Sequence, residues 1–115
     1  VSSVVGTLAQ NKSSLDLLKD SFPGGSITGA PKKRAMEIID ELEVSQRGVY
    51  CGAIGYINFD GTMDTNIAIR TLIMSEGQLS FSVGGGIVSD SDVDQEFQET
   101  LDKARAYFDL LGKSQ

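Results

Sequence analysis

Apolar residues recur along this chain with two periods, and the switches between them mark its elements. From Ala30 to Leu42 the positions Ala35, Ile38, Ile39 and Leu42 return at three- and four-residue spacing, with Lys32, Lys33, Arg34, Glu37, Asp40 and Glu41 on the other side. That is the pattern of an amphipathic helix, ended by the Ser45–Gly48 stretch. Val93, Phe97, Leu101, Ala104, Phe108 and Leu111 draw a similar stripe along a final helix. Asp90-Ser91 starts it, Asp94 stands near the capping-box position, and Gly112 ends it. A two-turn helix over Ser14–Ser21 carries Leu15, Leu17 and Leu18, with Ser13 or Ser14 as its cap.

Elsewhere the period is two. Val49–Phe59 is β-rich with apolar residues on both faces, the mark of a strand covered on both sides. Asp60-Gly61 signals a two-residue hairpin, and Thr62–Met74 reads as the returning strand. After a turn at Glu76-Gly77, Leu79, Phe81 and Val83 alternate with Ser80 and Ser82 in a third strand. Gly84-Gly85-Gly86 breaks it. Val1–Leu8 reads as a short strand as well. The expected fold is α+β in the order β-α-α-β-β-β-α, an antiparallel β-meander with helices packed on it. At 115 residues it is one domain at most.

Composition narrows the chemistry. A net charge of −6 argues against nucleic acid or an anionic membrane surface as partner. No apolar run approaches the ~20 residues of a membrane span. The single cysteine, Cys51, excludes an internal disulfide and reads as a buried core thiol. With no histidine, a His general base, a His–Asp triad and His metal ligands are all absent.

Phe22-Pro-Gly-Gly-Ser-Ile-Thr-Gly-Ala-Pro-Lys32 reads as a tight loop feeding a helix, with Ser26 and Thr28 as caps or ligand-facing hydroxyls. A helix start can take a carboxylate or phosphate, or bind nothing. It is not a P-loop, since Ala30 and Pro31 stand where Lys and Ser/Thr would follow. Glu96, Glu99 and Lys103 share one face of the last helix. The two glutamates suit a hard cation such as Mg²⁺, or the three form a solvated face with a Glu–Lys pair. Arg70, read within the middle strand, could grip a carboxylate bidentately or form an ion pair with Asp64 or a helix Glu. Tyr50 could hydrogen-bond a ligand or pack, and Gly84-Gly85-Gly86 could present N–H groups to an anion or only turn.

Ordered motifs carry a resemblance. Phe22–Lys32 with Arg34-Ala-Met-Glu-Ile-Ile-Asp-Glu-Leu-Glu43, then Tyr50–Tyr56, Asp64–Arg70, Gly84–Ser91 and Glu96–Lys103 resemble the chorismate-binding enzymes, in the same order and over nearly the whole chain. Gly-Gly-Ser-Ile-Thr-Gly-Ala and Gly-Gly-Gly-Ile-Val look most like the large subunits that make aminodeoxychorismate, the para-aminobenzoate precursor. Anthranilate synthases more often have Ala-Gly-Thr and Gly-Ala-Gly there.

The resemblance implies a C-terminal fragment, residues 1–115, of a larger catalytic domain with an αββα sandwich fold. It implies a cytoplasmic enzyme that aminates chorismate on the way to folate, with ammonia from a glutamine amidotransferase subunit. Alternatives are an anthranilate synthase fragment or a non-catalytic small-anion-binding module. By the same resemblance Mg²⁺ falls to Glu96 and Glu99. Ser26, Tyr50, Arg70, Gly84, Gly85, Gly86 and Lys103 match substrate-binding positions. The family's nucleophilic lysine in Pro-Ile-Lys-Gly-Thr has no counterpart here. The chain alone is therefore expected to be inactive and, with apolar faces uncovered, to self-associate.

Overall fold

The first helix begins where Ser13 caps it. Its Oγ accepts the Asp16 N–H at 3.2 Å while Asp16 Oδ2 accepts the Ser13 N–H at 2.9 Å. This reciprocal pair satisfies two donors that a helix start leaves open. In the computed structural model, which describes residues 2–112, α1 spans Ser14–Ser21, as its sequence predicts. The described chain divides at Ala68/Ile69 into two units, each considered by itself below.

In the first unit the Phe22–Gly29 loop contains one helical turn, α2 (Gly25–Thr28). Neither Ser26 nor Thr28 caps a helix: Thr28 Oγ1 instead donates to the Gly24 carbonyl at 3.1 Å. α3 (Lys32–Leu42) starts after Pro31, which supplies no side-chain cap. Lys32 Nζ donates to the Pro23 carbonyl and ties the loop back onto the start of α3.

β1 (Ala53–Ile57) and β2 (Met63–Ile67) pair antiparallel, Ala53 facing Ile67 and Ile57 facing Met63. The connection is longer than the two-residue turn expected from Asp60-Gly61. Gly61 N–H bonds the Asn58 carbonyl at 2.9 Å, and Asp60 Oδ1 accepts both the Thr62 N–H and its hydroxyl. The ladder ends in a bulge. Cys51 and Gly52 both bond Ala68, and Cys51 sits at φ 64°.

The second unit holds β3 (Leu72–Ser75), β4 (Gln78–Phe81) and α4 (Val93–Gly112). Glu76 and Gly77 both have positive φ, so the β3–β4 hairpin closes with a two-residue turn, as expected. Asp92, rather than Asp90 or Ser91, caps α4, its Oδ1 accepting the Gln95 N–H at 3.0 Å. Phe81 packs on α4 with ring centroids 4.6 Å from Tyr107 and 5.8 Å from Phe108.

The architecture is α+β, with two corrections. The meander is two separate two-stranded sheets, because the returning strand stops at Ile67 and resumes at Leu72. Arg70, at φ 50°, lies in that gap and turns the backbone out of the extended region. Residues 2–8 form no strand, since no ladder partner meets them, and Val1 lies outside the described residues. Buried apolar residues among those described are Cys51, Ala68 and Ala104. Every residue of β1 is exposed, and so are Val93, Phe97 and Phe108 of the α4 stripe. No helix among the described residues is long and apolar enough to cross a membrane.

Candidate functional site

In the second unit a glycine loop lies against an acidic helix face. Residues three and four apart on a helix share a side, so Glu96, Glu99 and Lys103 line up along α4. Lys103 Nζ reaches Glu99 Oε1 at 2.8 Å and donates to the Gly84 carbonyl at 3.1 Å. The ammonium holds the Glu99 carboxyl below the usual carboxylate range through this hydrogen bond and its charge. One lysine thus fixes both the loop and a carboxylate.

Glu96 is held from its other end. Ser91 Oγ donates to Glu96 Oε1 at 2.6 Å, while Glu96 Oε2 is buried with no hydrogen-bond partner among the described residues. A buried carboxylate oxygen without a donor is costly unless something cationic or protic faces it. A Cβ on Gly85 would lie 2.8 Å from Glu96 Oε2 and 3.3 Å from Glu99 Oε2. The two oxygens therefore converge on the Gly85 backbone, in space that only a glycine leaves free. This donor set is all oxygen and doubly anionic, offset by one ammonium. It fits a hard dication with water completing its shell. Among the described residues no group of three or more metal-ligating side chains is assembled.

Arg70 is exposed and makes no ion pair among the described residues of its unit. It stands in the break between strands, not in the middle of one. A non-glycine residue at φ 50° costs about 1–3 kcal/mol and persists only where its surroundings impose it.

The first unit carries the other two expected residues. Ser26 lies exposed on α2. Tyr50 lines a cavity of about 900 Å³ together with Phe22, Met36 and Cys51. Arg47 organises this end: it binds Glu43 through Nε and Nη2, sits 5.6 Å from the Tyr50 ring centroid, and approaches Cys51 Sγ at 3.6 Å. Burial, with Cys51 adding to it, pushes the Tyr50 phenol up. Sequence reasoning missed Arg47 and Ser91. Glu43–Arg47 has an i,i+4 spacing that could have been read.

The chorismate binding enzyme pattern matches residues 1–109. The chain belongs to the chorismate-binding enzyme family. Aminodeoxychorismate synthase component 1 of Salmonella typhimurium is 57% identical over 103 residues, 90% of this chain and 23% of that protein. The Escherichia coli protein of the same name is 54% identical over 98% of this chain and 25% of its own length. Anthranilate synthase component 1 of Pseudomonas aeruginosa is 53% identical over 94% of this chain and 22% of its own length. The chain spans about a quarter of the length of these family members.

Proposed function

We propose that this chain is the C-terminal part of the catalytic domain of an aminodeoxychorismate synthase component 1, contributing to the family's αββα sandwich. The whole protein would be a cytoplasmic enzyme that aminates chorismate toward para-aminobenzoate and folate. The observation that carries the reading is the Glu96–Glu99–Lys103 face beneath the Gly84–Gly86 loop, with a buried carboxylate oxygen that has no hydrogen-bond partner among the described residues. Identities of 54–57% to proteins named for this activity support the choice of reaction.

Chorismate carries two carboxylates, so a site for it needs cations and N–H donors. A bound Mg²⁺ would neutralise one carboxylate and act as a Lewis acid. Glu96 and Glu99 would be its ligands from this chain, with Lys103 paired to Glu99 beside them. Arg70 offers a planar guanidinium that matches a carboxylate bidentately. Gly84, Gly85 and Gly86 let a substrate anion approach backbone N–H groups. In the first unit, Tyr50 stays a neutral phenol at neutral pH and can donate a hydrogen bond, as can the Ser26 hydroxyl. The nucleophilic lysine and the ammonia-delivering glutamine amidotransferase lie outside this chain.

The anthranilate synthase reading has its own support, 53% identity to the Pseudomonas aeruginosa protein. Incubating the whole protein that carries this chain with chorismate, Mg²⁺ and ammonia separates the two. Aminodeoxychorismate as product is expected. Anthranilate would replace the proposal with its rival, and no consumption of chorismate would overturn both. The isolated 115-residue chain is expected to give no turnover.

A further inference from the structure

We propose that Ser91 is a positioning residue for Glu96, aiming one oxygen of that carboxylate at the cation site and removing the other from it. The inference rests on the reading of Glu96 as a Mg²⁺ ligand.

Asp92 is the residue that caps α4, so Ser91 precedes the cap and Glu96 is the fourth residue of the helix. In many helices these two positions carry apolar side chains that staple the incoming chain to the first turn. Here they carry a hydroxyl and a carboxylate joined at 2.6 Å. The hydroxyl has little choice of direction. Its oxygen accepts the Val88 N–H at 3.0 Å, and the Ser91 N–H returns a bond to the Val88 carbonyl at 3.1 Å. With the acceptor side of Ser91 taken by Val88, its proton goes to Glu96 Oε1.

Two consequences follow. Glu96 Oε1 already accepts one hydrogen bond, so the oxygen more open to a cation is Oε2, the one buried against Gly85 with no donor among the described residues. The segment after the glycine loop is also locked to α4 at Val88, while Lys103 locks the loop itself at Gly84. Loop and ligand are thus held in one register from both ends. Partners that orient a metal ligand typically influence affinity about 10–100-fold.

The test measures Mn²⁺ binding by electron paramagnetic resonance in the whole protein that carries this chain, without substrate. Ser91→Ala is expected to weaken Mn²⁺ binding about 10–100-fold. Ser91→Thr, which keeps the hydroxyl, should stay within about threefold of the parent, because the orienting bond survives. Glu96→Gln is the control on the underlying reading. If Glu96→Gln abolishes binding while Ser91→Ala leaves it unchanged, Ser91 has no positioning role although the metal site stands. If Glu96→Gln binds Mn²⁺ like the parent, the metal reading itself fails, and the Ser91 proposal with it. Should Ser91→Ala not fold, Ser91→Cys takes its place, keeping volume while donating weakly. A Cys variant with parental Mn²⁺ affinity and only a lower melting temperature overturns the proposal.

Discussion

Gly85 and Glu96 lie so close that a methyl group on Gly85 would fall 2.8 Å from Glu96 Oε2. The clashing atom is the far end of a flexible side chain, so the fold can yield there while the carboxylate cannot stay where it is. Gly85→Ala is therefore expected to leave the melting temperature nearly unchanged. Moving a carboxylate off its preferred rotamer costs about 0.5–1.5 kcal/mol, or roughly two- to tenfold in Mg²⁺ affinity. Titrating Mg²⁺ activation in the whole protein checks this. A large stability loss with unchanged Mg²⁺ dependence would make Gly85 a packing residue only.

Glu99 is exposed and its carboxyl is held low chiefly by Lys103. Glu99→Gln should raise the Mg²⁺ concentration needed for half activity with little effect on thermal unfolding, since solvent screens exposed ion pairs. Retained activity with a collapsed melting temperature would reassign Glu99 to a structural role.

Arg70 combines a strained backbone with a guanidinium that makes no ion pair among the described residues of its unit. Two substitutions separate these features. Arg70→Gly removes the left-handed penalty and should leave stability unchanged or higher by about 1 kcal/mol, after the entropy cost of glycine. Arg70→Lys keeps the charge but loses bidentate geometry. A lost charge-assisted hydrogen bond of about 1.5–3 kcal/mol predicts a ten- to hundredfold higher KM for chorismate, with ammonia dependence unchanged. Parental KM in both variants would show that Arg70 serves only the turn.

The Glu43–Arg47 pair gives a pH signature. Hydrogen bonds from Arg47 hold the Glu43 carboxyl below its ordinary range. Its stabilisation is thus fully present above about pH 4.3, the unfolded glutamate value. It is lost as pH falls through the lower folded value. Glu43 is partly exposed, so the effect should be about 0.2–1 kcal/mol. Melting curves of the parent and Glu43→Gln should differ at pH 7 and converge in strong acid. Curves that stay parallel at all pH values would deny the pair any contribution.

β1 exposes Ile54 and Tyr56, and among the described residues its sheet has two strands, so an edge of β1 has no strand partner there. Such an edge pairs readily with another chain. The isolated chain is expected to sediment as a dimer or larger species at micromolar concentration. A clean monomer in sedimentation equilibrium at high concentration would count against this.

What the sequence determined by itself was local. Ser13 and Asp16 cap α1 within four residues of each other, Glu76-Gly77 sets its hairpin turn, and the 96–99–103 spacing puts three charged side chains on one face. These depend on backbone geometry repeated over a turn or two, which residue type and spacing report directly. Ordered motifs also carried the family, because they preserve residues whose partners lie far away. Tertiary structure alone decided the rest. The run Thr62–Met74 reads as one strand, yet Arg70 turns left-handed and splits it, and nothing in an arginine's preferences announces that. Ser91 looked like a helix start until Asp92 took the cap and freed its hydroxyl for Glu96. Gly85 looked like a turn residue until α4 placed two carboxylates against it. Each of these depends on which atoms meet across the fold, and a pattern along the chain does not encode that distance.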